Sequence, residues 1–148
     1  MGCDIHCYAE KLQDGQWVYL RGITSFHVRH YGIFAFLAGV RNYSAITPIS
    51  PTRWLPEDVS DAVNEEHEIG ASDAHSASWL SVAELLAVDY DQQVEDRRCT
   101  RGGDGGCTCE PGQGELMTLR EFLGPCFFAS LKQLQDAGAD RIVFWFDG

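Results

Sequence analysis

The start of the chain alternates between apolar and polar side chains, a period that is typical of β-strands. Residues 3–12 and 16–21 show this alternation, and the pair Asp-Gly stands between them at positions 14–15. Asp-Gly is a favoured pair for a two-residue type I′ turn, because both of its positions need a positive φ. The pattern therefore predicts a hairpin in which Glu10 lies opposite Tyr19.

One face of this predicted hairpin is apolar, and the other is polar but rich in aromatic rings. Because side chains alternate across a sheet, the pairing decides which residues share a face. The apolar face predicts a contact with the core, and it carries Cys3, Ile5, Cys7, Ala9, Val18 and Leu20. The second face carries Asp4, His6, Tyr8, Glu10, Trp17, Tyr19 and Arg21. So many rings are unusual on a face that only contacts solvent, so we expect this face to form part of a pocket.

Three segments farther along the chain predict helices. Residues 30–40 are apolar on nearly all sides, which is typical of a short buried helix. A capping box that begins at Ser81 predicts a helix over residues 82–90. The same motif predicts a helix over residues 119–137, which the Gly-Pro pair at 124–125 should kink or split.

The end of the chain predicts one more strand and, with it, the fold class. Residues 141–147 form an apolar run of strand-forming residues, which suits a central or well-covered strand. Residues 57–73 carry seven acidic side chains and predict a solvated loop or a frayed helix. The order of elements predicts an α+β fold, in which the N-terminal hairpin and the C-terminal strand share a small mixed or antiparallel sheet covered by about three helices. We expect a single domain over residues 1–148, with a flexible glycine- and cysteine-rich loop at 95–114.

Charge and hydropathy narrow the classes of function. Twenty-two Asp and Glu against eleven Lys and Arg give a net charge of −11, which argues against direct binding to a nucleic-acid duplex. A small anionic ligand held by a few local arginines is still allowed. The longest apolar stretch, residues 33–40, is much shorter than the ~18 residues of a membrane span, and no secretory leader is recognisable. We therefore expect a cytoplasmic protein with reduced cysteines.

Two Asp-x-His triplets are candidate ligands of a metal ion. Asp4 and His6 are two residues apart on a predicted strand, so they share a face. Asp73 and His75 repeat the spacing in a predicted loop. Two carboxylates and two imidazoles suit a divalent transition metal that activates water, with Glu10 as the catalytic base. The alternative is that these side chains bind nearby backbone groups or cap a helix.

A second set of residues predicts a pocket for a phosphorylated ligand. An Arg-Asn pair precedes a proline-rich loop and an Arg-Trp pair follows it. The aromatic hairpin face can complete the pocket. Guanidinium groups bind phosphate oxygens in a planar fork, and aromatic rings stack on bases. The candidate ligand-binding residues are Trp17, Tyr19, Arg21, Arg41, Asn42, Arg53 and Trp54. The alternative is an ordinary loop whose arginines pair with the acids that follow it.

The cysteines at 99, 107 and 109 have spacings that a zinc knuckle does not commonly use. Zinc ligands typically come as C-x2–4-C pairs, whereas Cys107 and Cys109 are separated by one residue. A flexible glycine-rich insertion is the favoured interpretation, and the role of Cys99, Cys107 and Cys109 is left open.

Four segments together resemble a known group of proteins. They are MGCDIH at 1–6, FLAGVRN at 36–42, LPEDVS at 55–60 and HSASWL at 75–80. The chain resembles short proteins of unassigned activity that tailed phages and prophages encode and that open with the same hexapeptide. The resemblance covers about the first ninety residues. It implies a bacterial host cytoplasm as the setting, but no mechanism.

These features lead to one main expectation and two alternatives. The first is a phage-type protein that binds a phosphorylated, nucleotide-like small molecule and sequesters a host-defence signal, by analogy with other small phage proteins. The second is a metal-dependent, phosphodiesterase-like hydrolase that uses the Asp and His residues. The third is an acidic inhibitor that acts on another protein through residues 57–73. The oligomeric state stays open.

Overall fold

The computed structural model describes residues 2–98 and 108–148, which divide into two units. The first unit comprises the described residues of the ranges 1–29, 52–87 and 128–148, and the second comprises those of 30–51 and 88–127. In chain order the elements of this part of the chain are β1 (Asp4–Gln13), β2 (Gln16–Tyr19), α1 (Tyr31–Ala38), α2 (Asp61–Ile69), β3 (His75–Ser81), α3 (Val82–Ala87), β4 (Gln93–Asp96), β5 (Glu115–Thr118), α4 (Leu119–Leu123), α5 (Pro125–Asp136) and β6 (Arg141–Asp147). The α+β class predicted from the sequence is confirmed. That the two units fold together as one domain over residues 1–148 stays a prediction.

A four-stranded antiparallel sheet forms the centre of the first unit, with its strands in the order β2-β1-β6-β3. The predicted hairpin forms with the expected register, in which Glu10 lies opposite Tyr19. Asp14 and Gly15 have φ angles of 52° and 77°, as a type I′ turn requires. Strand β2 ends at Tyr19, so Arg21 lies beyond the sheet. The apolar C-terminal run is a central strand, because β6 pairs with β1 on one side and β3 on the other.

The two faces of this sheet differ in chemistry. The apolar face carries Ile5, Cys7, Ala9, Leu80, Ile142, Phe144 and Phe146, all of them buried. On β1 and β6 the other face carries Asp4, His6, Tyr8, Glu10, Arg141, Val143, Trp145 and Asp147. We call it the polar face. Val63 of α2 packs on the middle of the polar face, in a cluster with Val143 and Trp145.

Strand β3 begins at His75, for which the sequence predicted a loop. Its serine- and alanine-rich segment has no clear alternation, and it pairs along the edge of β6. The register shifts between His75 and Ser78, and Ser76 has a φ of 56° at the shift. This is a β-bulge, and one extra residue in a strand turns the side chains beyond it to the opposite face.

The predicted helix-start signals form as expected, but the helices end at other residues than predicted. Both capping boxes form, at Ser81 and at Thr118. Helix α3 ends at Ala87, three residues earlier than predicted. The Gly-Pro pair at 124–125 splits the long predicted helix into α4 and α5, because proline cannot donate the backbone hydrogen bond that would continue α4. The middle of the acidic stretch, Asp61–Ile69, forms a regular helix, α2, capped by Ser60.

The second unit contains helix α1 and a two-stranded antiparallel sheet of β4 and β5. Helix α1 covers most of the predicted apolar helix; His30 caps its N-terminus, and Gly39, whose φ is 72°, caps its C-terminus. Of the predicted loop at 95–114, residues 95 and 96 belong to β4, whereas Cys99 and Cys107 lie outside the described residues. Across residues 2–98 and 108–148, no helix has the length and apolar character that a membrane span needs.

Candidate ligand-binding site on the polar face

An open cavity of about 620 Å³ lies on the polar face, at the end of the sheet where Glu10 pairs with Arg141. Its size is in the range of small-molecule sites, roughly 300–1,000 Å³. We call it the tryptophan–arginine cleft; its lining residues are Trp17, Arg53, Leu55, Pro56, Glu57, Asp58, Trp79 and Arg141. Strands β2, β3 and β6 each supply one aromatic or basic side chain, and the loop over residues 53–58 supplies the rest.

Arg141 is the best-fixed cation of the cleft, with only 3% of its surface exposed. Its Nε donates to Glu10 Oε1 at 2.7 Å, and its Nη1 donates to Asp58 Oδ1 at 2.9 Å. The guanidinium carbon lies 3.6 Å from the centre of the Trp17 ring, in cation–π geometry. The guanidinium group is therefore held by two carboxylates and one indole ring.

Glu10, the predicted catalytic base, has a different environment from the one expected. It is completely buried, and besides Arg141 it accepts a hydrogen bond from the backbone N–H of Ser60 at 2.8 Å. The carboxylate therefore fixes both Arg141 and the start of α2. Glu10 does not line the cleft.

Arg53 lies beside β3, the edge strand of the sheet, where its backbone N–H donates to Ser78 Oγ at 2.9 Å. Its guanidinium group stacks over the Trp79 ring, with 4.7 Å from the carbon to the ring centre. It also forms a two-bond ion pair with Glu84, the capping-box residue of α3. Hydrogen bonding to Arg53 lowers the pKa of Glu84 to about 2, and the same pair raises the pKa of Arg53.

Asp58 is the exposed partner of this charge network. Its Oδ2 accepts from the Trp17 indole N–H at 2.9 Å, while its Oδ1 binds Arg141. Hydrogen bonding to Arg141 lowers the pKa of Asp58. The side chain is 66% exposed, whereas that of Arg141 is 4% exposed. The cleft thus carries an accessible carboxylate held over a buried cation.

The structure brings together only part of the predicted ligand-binding set. Trp17 and Arg53 both line the cleft. Tyr19 packs edge-on against Tyr8, and Arg21 stacks over the Tyr19 ring at 5.2 Å. Trp54 follows Arg53 but does not line the cleft; it is 61% exposed and lies edge-on to a buried histidine ring of α2.

The other two predicted ligand-binding residues belong to the second unit. Arg41 stacks over the ring of Tyr31, with 5.4 Å from its guanidinium carbon to the ring centre. The Asn42 side chain donates to the Ile46 carbonyl at 2.8 Å and accepts from the Ile46 N–H at 3.0 Å. Both bonds hold the turn after α1, which gives Asn42 a structural role there.

Two important residues of the cleft, Trp79 and Arg141, were not among the sequence candidates. Trp79 lies just before the capping box of α3, and Arg141 opens an apolar strand. The useful signal was a lone cation at the start of a buried strand, because such a charge needs a buried partner. That partner, Glu10, is 131 positions away in the chain, so only the strand pairing reveals it.

The four predicted metal ligands do not converge. Asp4 forms a two-bond ion pair with Arg29, which lowers the pKa of Asp4. His6 Nε2 lies 2.7 Å from an oxygen of Asp147. The bulge in β3 places His75 opposite Phe146, on the apolar side of the sheet, whereas His6 is on the polar face. Within residues 2–98 and 108–148, no group of three or more His, Cys, Asp or Glu side chains is placed to hold a metal ion.

Asp73 and His6 do share a smaller cavity of about 190 Å³, at the opposite end of the polar face. Its walls include Tyr8 and the buried ring of Trp145, which stack with 5.0 Å between ring centres. Burial raises the pKa of Tyr8 to about 12. This cavity therefore keeps a neutral phenol beside a histidine–aspartate pair.

Comparisons with known proteins find no matching family model, no matching curated protein and no matching solved structure. What the tryptophan–arginine cleft can bind follows from its own side chains. Indole rings can stack on a planar ring, and guanidinium groups can donate paired hydrogen bonds to phosphate oxygens. The combination suits a small molecule with one flat part and one anionic part.

Proposed function

We propose that the protein binds a phosphorylated, nucleotide-like small molecule in the tryptophan–arginine cleft. The observation that carries the proposal is that two tryptophans and two arginines from separate segments line one open cavity of about 620 Å³. A single ring or a single cation on a surface is common, but this combination at one sheet end needs several independent placements. It supports a binding protein.

The two indole rings provide the contact for the flat part of the ligand. Trp17 and Trp79 are each half-buried, so part of each ring is open to the cleft. A guanidinium group lies over each ring, which holds the indoles in place before a ligand enters. Base–aromatic stacking is worth about 1–3 kcal/mol per base and tolerates different bases.

The arginines provide the contact for the anionic part. A guanidinium group has five N–H donors, and Arg53 uses three hydrogen bonds, one to the Trp79 carbonyl and two to Glu84. The donors that remain are available to an acceptor in the cleft. A planar donor fork matches the spacing of phosphate oxygens, which a lysine would not do.

The biological setting follows from the resemblance to tailed-phage proteins. A phage protein that holds a nucleotide signal keeps it away from the host protein that senses it. Sequestration of a host-defence signal in the bacterial cytoplasm is therefore the role that we assign to binding, by analogy.

Thermal unfolding with a panel of nucleosides, nucleoside monophosphates, nucleoside triphosphates and cyclic dinucleotides tests the proposal. A ligand at about 100 times its Kd adds about 2.7 kcal/mol of stability, which raises the Tm by roughly 5–10 °C in a chain of this size. Trp79→Ala should abolish the shift. Trp54→Ala, which removes an exposed tryptophan outside the cleft, should leave it unchanged. No shift with any compound would refute the proposal.

The two alternative functions stay predictions, and assays on the same purified protein distinguish them. A metal-dependent hydrolase should retain a stoichiometric metal and release product from a cyclic nucleotide or dinucleotide, and Asp4→Ala should abolish both. An acidic inhibitor should bind a host protein, and its binding should survive Trp79→Ala but fail when the acids of α2 are neutralised. If Trp79→Ala abolishes the binding of nucleotides and of any host protein alike, the result favours the nucleotide cleft instead.

A further inference from the structure

The Asp58 carboxylate occupies a position with the contacts of a bound anion. One of its oxygens accepts from the Trp17 indole N–H, and the other accepts from Arg141 Nη1, both at 2.9 Å. The two donors belong to different strands, β2 and β6, and they converge on one carboxylate. The chain therefore places one of its own acids where an anionic group of a ligand would bind.

Asp58 is the exposed carboxylate of this network, and its backbone carbonyl also accepts from Arg141 Nη2 at 3.3 Å. Its side chain is 66% exposed, and it lies in a turn between Pro56 and the cap of α2. Glu10, the other partner of Arg141, is fully buried and fixed by two hydrogen bonds. Arg141 thus keeps its position and one balancing charge when Asp58 moves away.

We propose that Asp58 occupies the phosphate position of the tryptophan–arginine cleft, and that the terminal phosphate of a bound nucleotide displaces it from Trp17 and Arg141. The inference rests on the proposed function and specifies its ligand as a phosphomonoester. A phosphomonoester carries a charge of about −1.5 to −2 at pH 7 and three acceptor oxygens, against one charge and two oxygens for Asp58. It can therefore accept from both donors that Asp58 vacates, the indole N–H of Trp17 and Nη1 of Arg141.

Displacement has a measurable consequence for affinity. The site is open to phosphate only in the fraction of molecules in which Asp58 has left, and the apparent Kd is the intrinsic Kd divided by that fraction. Removing the Asp58 charge should therefore tighten phosphate binding. A nucleoside lacks the competing group, so its affinity should not change.

The test compares Asp58→Asn with Asp61→Asn by isothermal titration calorimetry. Asp61 is an exposed acid in the first turn of α2 that does not line the cleft, so its substitution removes the same charge nearby and serves as the matched control. The probes are the four ribonucleoside 5′-monophosphates, the four nucleosides and inorganic phosphate. We expect Asp58→Asn to tighten monophosphate binding about fivefold or more, and Asp61→Asn to change it less than about twofold. Nucleoside affinity should stay within about twofold in both variants.

The outcomes separate the inference from the proposed function. Equal tightening in both variants means general electrostatics, and weaker monophosphate binding in Asp58→Asn means that Asp58 supports the site; each overturns the inference alone. If inorganic phosphate binds Asp58→Asn as tightly as the monophosphates do, the ligand is not a nucleotide, but the displacement of Asp58 by phosphate stands. If no probe binds the wild-type protein or Asp58→Asn, both the proposed function and the inference are wrong.

Discussion

The buried ion pair beneath the cleft makes the most specific stability prediction. The side chains of Glu10 and Arg141 are 0% and 4% exposed, and their Oε1 and Nε atoms are 2.7 Å apart. Glu10→Gln keeps the shape of the side chain but removes its charge and one of its two acceptor oxygens. Since both oxygens accept from fixed donors, one donor must then face the new NH2 group.

The expected cost follows from those two contacts. A hydrogen bond to a charged group contributes about 1.5–3 kcal/mol, and breaking a buried ion pair from one side typically costs 3–5 kcal/mol. We therefore expect Glu10→Gln to lower the free energy of unfolding by about 3–5 kcal/mol. The exposed pair between Asp4 and Arg29, with side chains 53% and 43% exposed, is the control. Asp4→Asn should cost less than about 1 kcal/mol.

Urea unfolding followed by tryptophan fluorescence, with linear extrapolation, measures these differences. If Glu10→Gln does not fold, the double variant Glu10→Gln/Arg141→Met keeps the prediction testable, because neither charge is then left unpaired. It should recover a folded state or lose less than the two single variants combined. If Glu10→Gln lowers the free energy of unfolding by less than about 1 kcal/mol, the ion pair between Glu10 and Arg141 does not stabilise the site as argued.

Three further predictions concern acid stability, the core and the cysteines. Glu84 has a folded-state pKa of about 2 against an ordinary 4.5, so the stability that it contributes is present above about pH 4.5 and is lost as the pH falls toward 2. Glu84→Gln should flatten that part of a stability-versus-pH curve, and an unchanged curve would contradict the assignment. Phe144→Ala, at a fully buried position of β6, should cost about 3–5 kcal/mol in urea unfolding, whereas Leu116→Ala, at a position 62% exposed, should cost less than about 0.5 kcal/mol. Iodoacetamide should label the exposed Cys126 in the native protein and spare Cys7, since burial raises the pKa of the Cys7 thiol; mass spectrometry that finds Cys7 labelled first would refute this.

Local signals explain how much of the fold the sequence predicts. The Asp-Gly turn sets the hairpin register, the capping boxes mark where α3 and α4 begin, and the Gly-Pro pair separates α4 from α5. Each of these signals acts over a few neighbouring residues, so it can be recognised without the rest of the chain. Strand β3 escaped prediction because it has no alternating pattern and exists through its pairing with β6.

The site depends much more on contacts between distant residues. Trp17 and Arg53 were recognisable as ring and cation, but their partners Arg141 and Trp79 reach the cleft only through the order of the strands. The bulge at Ser76 decides in the same way that His75 lies across the sheet from His6, which separates two residues that the metal-site hypothesis had brought to one ion.

The sequence by itself therefore determined the hairpin, the starts of α3 and α4, the central C-terminal strand and the chemistry of the side chains on one sheet face. Only the tertiary structure decided which of those side chains meet, because strand pairing joins Glu10 and Arg141 across 131 positions. A bulge of one residue turns the side chains beyond it to the other face of the sheet. Neither the strand pairing nor the bulge can be recognised from a local sequence pattern.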